Sequence, residues 1–217
     1  MPARAPAGRF ITFEGGEGAG KTTQIKRLAA ALRAGGQDVV ITREPGGSPG
    51  GEAIRALVLN RPDLKYDPLA EALLFAAARA DHVRKVIQPA LARGAFVLCD
   101  RFADSSIAYQ AGGTANPLEV VKQLQHIAVG TCWPDLTIIL DLDPAAGSRR
   151  IRRRDGEDGA DRFEAESLAF HARVRAAYLA IARAEPERCA VIDASQGEEA
   201  VSAGISSAAK ARLGLSA

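Results

Sequence analysis

The amino-acid sequence predicts an α/β domain: a five-stranded parallel sheet with helices on both faces. Three observations carry this. Five short, nearly continuous apolar runs recur along the chain, as expected of strands covered on both faces. Segments long enough for crossover helices separate them, so strand and helix alternate. The first run leads directly into a glycine-rich turn that opens a helix.

The predicted strands are residues 10–14, 39–42, 96–99, 136–141 and 190–193. The turn after the first strand opens a helix over residues 22–33. A long helix is expected over 67–91, where Leu69, Leu73, Ala76, Ala80, Val83, Ile87 and Leu91 form one apolar stripe. At about 100° per residue, Phe75, Arg79 and His82 fall on a different face. In residues 163–184, Phe163, Phe170, Val174, Tyr178 and Ile181 recur at helical spacing, and a last helix covers 198–213. Residues 152–161 read RRRDGEDGAD and are expected to form a mobile surface loop. Residues 1–8 are expected to be a loose tail, and residues 9–217 a single domain.

Composition agrees with one soluble domain: of 217 residues, 47% are hydrophobic and 25% charged. The net charge of +2 gives no reason to expect nucleic acid or an anionic membrane as a partner. Six arginines nevertheless lie between Arg149 and Arg162. The three cysteines, Cys99, Cys132 and Cys189, are far apart and odd in number, which argues against a disulfide framework or a zinc site and for the reducing cytoplasm. No apolar run approaches the ~20 residues that would span a bilayer.

The strongest chemical signal is Gly15-Gly16-Glu17-Gly18-Ala19-Gly20-Lys21-Thr22, which matches G-x-x-x-x-G-K-S/T between a strand and a helix. Glycines let backbone N–H groups curl around phosphate oxygens, and the helix N-terminus adds partial positive charge there. Lys21 is placed to reach the β- and γ-phosphates of a nucleoside triphosphate, the Thr22 hydroxyl to ligate Mg²⁺, and Thr23 to continue the binding loop. Alone, the motif does not separate a kinase from a GTPase, a motor or a transporter ATPase.

Further features narrow the choice. The third strand ends in Asp100-Arg101-Phe102, at the sheet edge where open α/β sheets bind ligands. An Asp there can approach Mg²⁺ and an Arg can fork onto phosphate, although a strand-end ion pair is the plain alternative. The second strand runs into Thr42-Arg43-Glu44-Pro45-Gly46-Gly47, a loop with a cation and two glycines that reads equally as an ordinary turn. Phe75 and Arg79 are i, i+4 neighbours that suit a nucleobase by stacking and hydrogen bonding. From periodicity alone the plainer reading, a core phenylalanine and a solvated arginine, is favoured. The arginine-rich segment is either a solvated loop or a lid carrying a catalytic arginine.

Together, FEGGEGAGKTT (13–23), TREPGG (42–47), LLFAAARADHV (73–83), DRFADSSIAYQ (100–110), PDLTIILDLDP (134–144) and DRFEAES (161–167) resemble the thymidylate kinase family in its bacterial form. The resemblance implies the P-loop nucleoside-monophosphate kinase fold, homodimers, and transfer of the γ-phosphoryl of ATP to dTMP with Mg²⁺. It implies that Phe75 stacks on thymine, Arg79 bonds the base carbonyl, and Tyr109 lies against the deoxyribose. Ser105, Ser106 and Gln110 would line that pocket, Arg43 and Pro45 would flank the acceptor, and Arg101 would touch both phosphate groups. No basic residue stands among Gly16, Glu17, Gly18 and Ala19, so the resemblance moves the catalytic arginine into a lid over residues 149–162, with Arg152 and Arg154 the candidates. Arg162 would anchor the lid to Glu164 or Glu166, and Glu17 would be the loop carboxylate near the acceptor. Thr22 and Asp100 would hold the metal. The family's usual DRY or DRH triplet is DRF here. The alternatives are a kinase for another pyrimidine monophosphate or a nucleoside, an acceptor-independent ATPase switch, and a degenerate nucleotide-binding module.

Overall fold

The computed structural model describes residues 8–61, 63–64, 66–112, 116–155 and 166–214, with only the backbone described at 154 and 155. In chain order the elements are β1 (Arg9–Gly15), α1 (Lys21–Ala34), β2 (Val39–Arg43), α2 (Pro49–Leu59), α3 (Pro68–His82), α4 (Gln88–Ala92), β3 (Phe96–Asp100), α5 (Ala103–Ser106), α6 (Leu118–Val129), β4 (Leu136–Asp141), α7 (Pro144–Asp155), α8 (Leu168–Ala184), β5 (Cys189–Asp193) and α9 (Glu198–Leu213). All strand pairs are parallel, in the order β2-β3-β1-β4-β5. Strand β1 is central, and its register with β3 sets Phe13 opposite Asp100. The two loops that leave these strands are therefore adjacent.

Alternation along β1 divides its side chains between two cores. Ile11 and Phe13 join Ile25, Leu28, Val201 and Ile205 of α1 and α9. Phe10 packs on the other face with Val83, Ile87 and Phe102, and the neighbouring cluster there includes Tyr109, Phe170, Val174 and Tyr178. The edge strands differ from the expectation of cover on both faces. Ile41 of β2 and Val191 of β5, the two edge strands, are 43% and 45% exposed.

Three other expectations are corrected. The helix expected over 67–91 is present and helical without a gap from Pro68 to Ala92, but a π-helical turn, Val83–Ile87, joins α3 to α4 within it. A π turn inserts extra residue per turn and so rotates the buried face. Before it, Ala72, Phe75, Ala76, Arg79 and His82 are buried while Leu69 and Leu73 are exposed; within it Val83 and Ile87 are buried, and after it Ala90. The supposed outer face is thus the inner one in the first half. Second, the charged stretch from Arg152 begins as helix, since α7 runs to Asp155. Arginine is a good helix former, and the Asp143 carboxylate caps the first turn by accepting from the N–H of Ala145 and Ala146. Residues 156–161 of that stretch, with Arg162, Phe163 and Glu164, lie outside the described residues. Third, Gly8 is not part of a loose tail: its N–H donates to the Leu91 carbonyl at 3.2 Å. Residues 1–7 lie outside the described residues. No helix among the described residues is long and apolar enough to cross a membrane.

Candidate active site

The loop between β1 and α1 opens onto a cleft of about 370 Å³. Residues Gly18 to Thr23 line one part of it, and Arg43, Pro45, Phe75, Arg79, Ser105, Ser106, Tyr109 and Gln110 line another. Asp100 and Arg101 lie in the same lining. One continuous cleft thus joins the phosphate loop to most of the predicted acceptor residues.

Within the loop, Gly18 has φ 69°, and a Cβ there would stand 2.5 Å from the Gly147 carbonyl oxygen. Glycine is needed both for the backbone region and for this backbone-to-backbone approach of α7. Lys21 is buried and donates to the carbonyls of Gly15 (3.2 Å) and Gly16 (3.0 Å). Burial pushes its ammonium below the ordinary lysine value, and Arg101 adds to that, against the pull of Glu17, Asp100 and Glu14. The Thr22 hydroxyl donates to Asp100 Oδ2 at 2.9 Å across the β1–β3 register. Two oxygen donors at the mouth of a phosphate loop fit Mg²⁺, which keeps several waters and takes phosphate oxygens for its remaining ligands. Among the described residues no group of three or more His, Cys, Asp or Glu could hold a metal unaided.

Arg101 is the only non-glycine residue with positive φ (69°) among those described. Such a backbone costs about 1–3 kcal/mol and persists where its surroundings over-determine it. Here they do: its N–H donates to the Phe13 carbonyl at 2.9 Å. Its Nη2 donates to Glu17 Oε1 (2.5 Å) and the Tyr109 hydroxyl (3.1 Å). Its Nη1 lies 3.2 Å from the Gly15 carbonyl, 3.3 Å from Ser105 Oγ and 3.2 Å from the Tyr178 hydroxyl. The guanidinium also stacks on the Tyr109 ring. Tyr109 in turn donates to Glu17 Oε1 at 2.9 Å. Burial alone would raise the Glu17 carboxyl, but Arg101, Lys21 and the Tyr109 hydroxyl outweigh it and hold it at about 2.

Arg79 is not the solvated charge that periodicity favours; it is 3% exposed. Its Nε donates to Glu44 Oε2 (2.7 Å), Nη1 to Ser106 Oγ (3.0 Å) and to Gln125 Oε1, and Nη2 to the Phe102 carbonyl (2.9 Å). These use four of its five N–H groups and leave one on Nη2. Glu44 also bonds His82 Nδ1 at 2.9 Å, whose Nε2 meets Thr42 Oγ1 at 2.7 Å. Arg43 is more loosely held and reaches the Glu52 carboxylate at 3.0 Å, both being about half exposed.

The predicted lid arginines are not brought into the cleft among the described residues. Arg152 is exposed on α7, and the side chains of Arg154 and Arg162 lie outside the described residues. Glu166 is exposed. The α7 arginine that does touch the phosphate loop is Arg150, which donates to the carbonyls of Ala194 (3.0 Å) and Gly18 (3.4 Å). Sequence reasoning also missed Glu14, Glu44 and Gln125 as site components, and the hydroxyl of Tyr178. A carboxylate inside the apolar run FITFE was the one available signal for Glu14.

The model of the thymidylate kinase family matches residues 13–205. A thymidylate kinase from Caulobacter vibrioides is 55% identical over 208 residues, covering 96% of this chain and 99% of the relative. One from Rhodopseudomonas palustris is 53% identical, covering 96% and 91%. The crystal structure of thymidylate kinase from Ehrlichia chaffeensis superposes with a TM-score of 0.73 at 35% identity, covering 93% of this chain and 99% of that one.

Proposed function

The chain belongs to the thymidylate kinase family and phosphorylates dTMP with ATP, and on that premise we propose how its cleft does so. The γ-phosphoryl group passes in line from ATP on the phosphate loop to the 5′-phosphate of dTMP held beside Phe75. The observation that carries this is the place of Arg101, between the loop carboxylate Glu17 and the acceptor-side Tyr109. One guanidinium there can reach phosphate oxygens of both substrates. A phosphate monoester oxygen is already a competent nucleophile, so no covalent intermediate is needed, and alignment and charge neutralisation fall to Lys21, Arg101 and an arginine of residues 149–162. Thr22 and Asp100 would hold Mg²⁺, which when bound neutralises charge on the β- and γ-phosphates.

The base is read by Phe75 and Arg79. The remaining Nη2 proton of Arg79 suits a carbonyl acceptor; an exocyclic amine, as on cytosine, would set donor against donor. Tyr109, locked by Glu17 and Arg101, cannot yield to a ribose 2′-hydroxyl. The acceptor comparison tests this: dTMP should give the highest kcat/KM among dTMP, dUMP, UMP, CMP and thymidine. Loss of the methyl group alone should lower it by about 10–200-fold. Dominant turnover of UMP or CMP, or ADP release that does not depend on acceptor, would overturn the reading.

Helices α3 and α6 support a homodimer. Leu69 and Leu73 on α3 and Val120 and Ile127 on α6 are 42%, 49%, 37% and 81% exposed on neighbouring helices. A two-fold dimer buries exposed apolar side chains of each copy against the other. Light scattering at micromolar concentration should return twice the chain mass, and Leu73→Glu should return the monomer; a monomeric wild type would refute the dimer. The three cysteines are buried free thiols, in keeping with work in the reducing cytoplasm.

A further inference from the structure

Glu14 is fully buried on β1, beneath Arg101. Its Oε1 accepts the Phe102 N–H at 2.7 Å. Its Oε2 accepts the Ser105 hydroxyl at 2.6 Å and the Tyr178 hydroxyl at 3.0 Å. The same two hydroxyl oxygens face Arg101 Nη1 at 3.3 and 3.2 Å. A hydroxyl has one proton and two lone pairs, and an ionised carboxylate has no proton to give. Each hydroxyl therefore aims its proton at Glu14, or at the other hydroxyl 2.8 Å away, and turns lone pairs to the guanidinium. Glu14 sets the polarity of both groups from behind.

We infer that Glu14 is the positioning residue of Arg101: through the Phe102 N–H it holds the left-handed turn, and through Ser105 and Tyr178 it holds the guanidinium in the attitude that meets phosphate. This rests on the functional reading above and deepens it. Glu14 touches no substrate in this scheme and acts only through Arg101. Burial raises its carboxyl and Asp104 adds to that, while Ser105, Arg101 and the Phe102 N–H oppose, leaving it at about 7. The other titratable groups that feel its charge are Lys21 of α1, Cys99 of β3, Tyr178 of α8 and Cys189 of β5. A protonated Glu14 would donate into the hydroxyl pair and turn a proton toward Arg101. The ionised form is therefore the active one, and this contribution is lost as pH falls through about 7.

Glu14→Gln tests this, because the amide oxygen still accepts from Phe102 while the amide nitrogen donates where the carboxylate accepted. We expect kcat to fall about 10–100-fold, the worth of a hydrogen bond to a charged group, with KM for dTMP little changed and the variant still folded. Substrate phosphates also titrate near neutrality, but identically for both enzymes. The ratio of wild-type to variant kcat should therefore shrink toward one as pH drops below the Glu14 value. A folded variant with wild-type kcat, or a ratio independent of pH, overturns the inference. If Glu14→Gln does not fold, Tyr178→Phe carries the test, with a smaller fall in kcat at unchanged KM; unchanged kcat overturns it equally. A wild type that does not phosphorylate dTMP sinks the functional reading and this inference together, whereas an active wild type with an unimpaired variant sinks this inference alone.

Discussion

Replacing Arg101 by alanine is expected to lower kcat by about 10²–10³-fold, or roughly 2.7–4 kcal/mol of transition-state stabilisation. The geometry makes this one of the two largest effects in the molecule. The guanidinium is held by Glu17, Tyr109, Ser105, Tyr178 and the Gly15 carbonyl, so its position is set before substrate arrives. Donors fixed in advance need no reorganisation when charge develops on the transferring phosphoryl group. The alanine variant also leaves Glu17 without its main cation, and breaking such a pair destabilises the fold. Arg101→Lys separates the two effects: it keeps a charge beside Glu17 but loses the planar fork. We expect Arg101→Lys to retain most of the thermal stability and to recover little of the lost kcat. Steady-state rates beside thermal denaturation check this, and an alanine variant within threefold of wild-type kcat would rule out the role given to Arg101.

The other large effect is expected at the arginines proposed for a lid over residues 149–162; a movable arginine is worth about 10³–10⁵ in rate in well-studied phosphoryl-transfer enzymes. The phosphate loop carries no basic residue before Lys21, and on the family resemblance we take the further charge to come from α7 and the residues after it. Helix α7 supplies the geometry. Its Gly147 lies against the backbone of Glu17 and Gly18, and Arg150 hooks onto the Gly18 and Ala194 carbonyls. Position 154 follows Arg150 by one helical turn, about 6 Å farther along the same face, whereas position 152 falls on the opposite side. Arg154→Ala should therefore lower kcat more than Arg152→Ala, each with ATP affinity nearly unchanged. Single-turnover rates and equilibrium ATP binding measure the two separately. Full turnover in both single variants and in the double variant would remove the catalytic arginine from this helix.

The phosphate loop was fully legible in the sequence because it is contiguous. Eight consecutive residues between a strand and a helix encode their own backbone path, and the chemistry follows from that path. The alternating pattern likewise determined five parallel strands, of which the inner three are covered on both faces and the edge strands β2 and β5 only in part. The face carrying Phe75 and Arg79 was only half legible. Periodicity separated it from the leucine stripe but could not tell which side was inside, because the π turn at Val83–Ile87 changes the helical phase. Burial was decided by a buried acid, Glu44, drawn from another loop to neutralise Arg79.

The group around Arg101 was the least legible. Glu14, Glu17, Ser105, Tyr109 and Tyr178 come from β1, the phosphate loop, α5, the turn after it and α8, and Glu14 and Tyr178 stand 164 residues apart. No spacing rule links such positions. What brings them together is the sheet register that sets Phe13 opposite Asp100, together with the packing of α8 over the same face. The sequence alone determined the phosphate-loop motif and its place between a strand and a helix. Only the tertiary structure decided which carboxylates and hydroxyls aim the arginine, because hydrogen-bond partners remote in the chain are chosen by packing and not by local propensity.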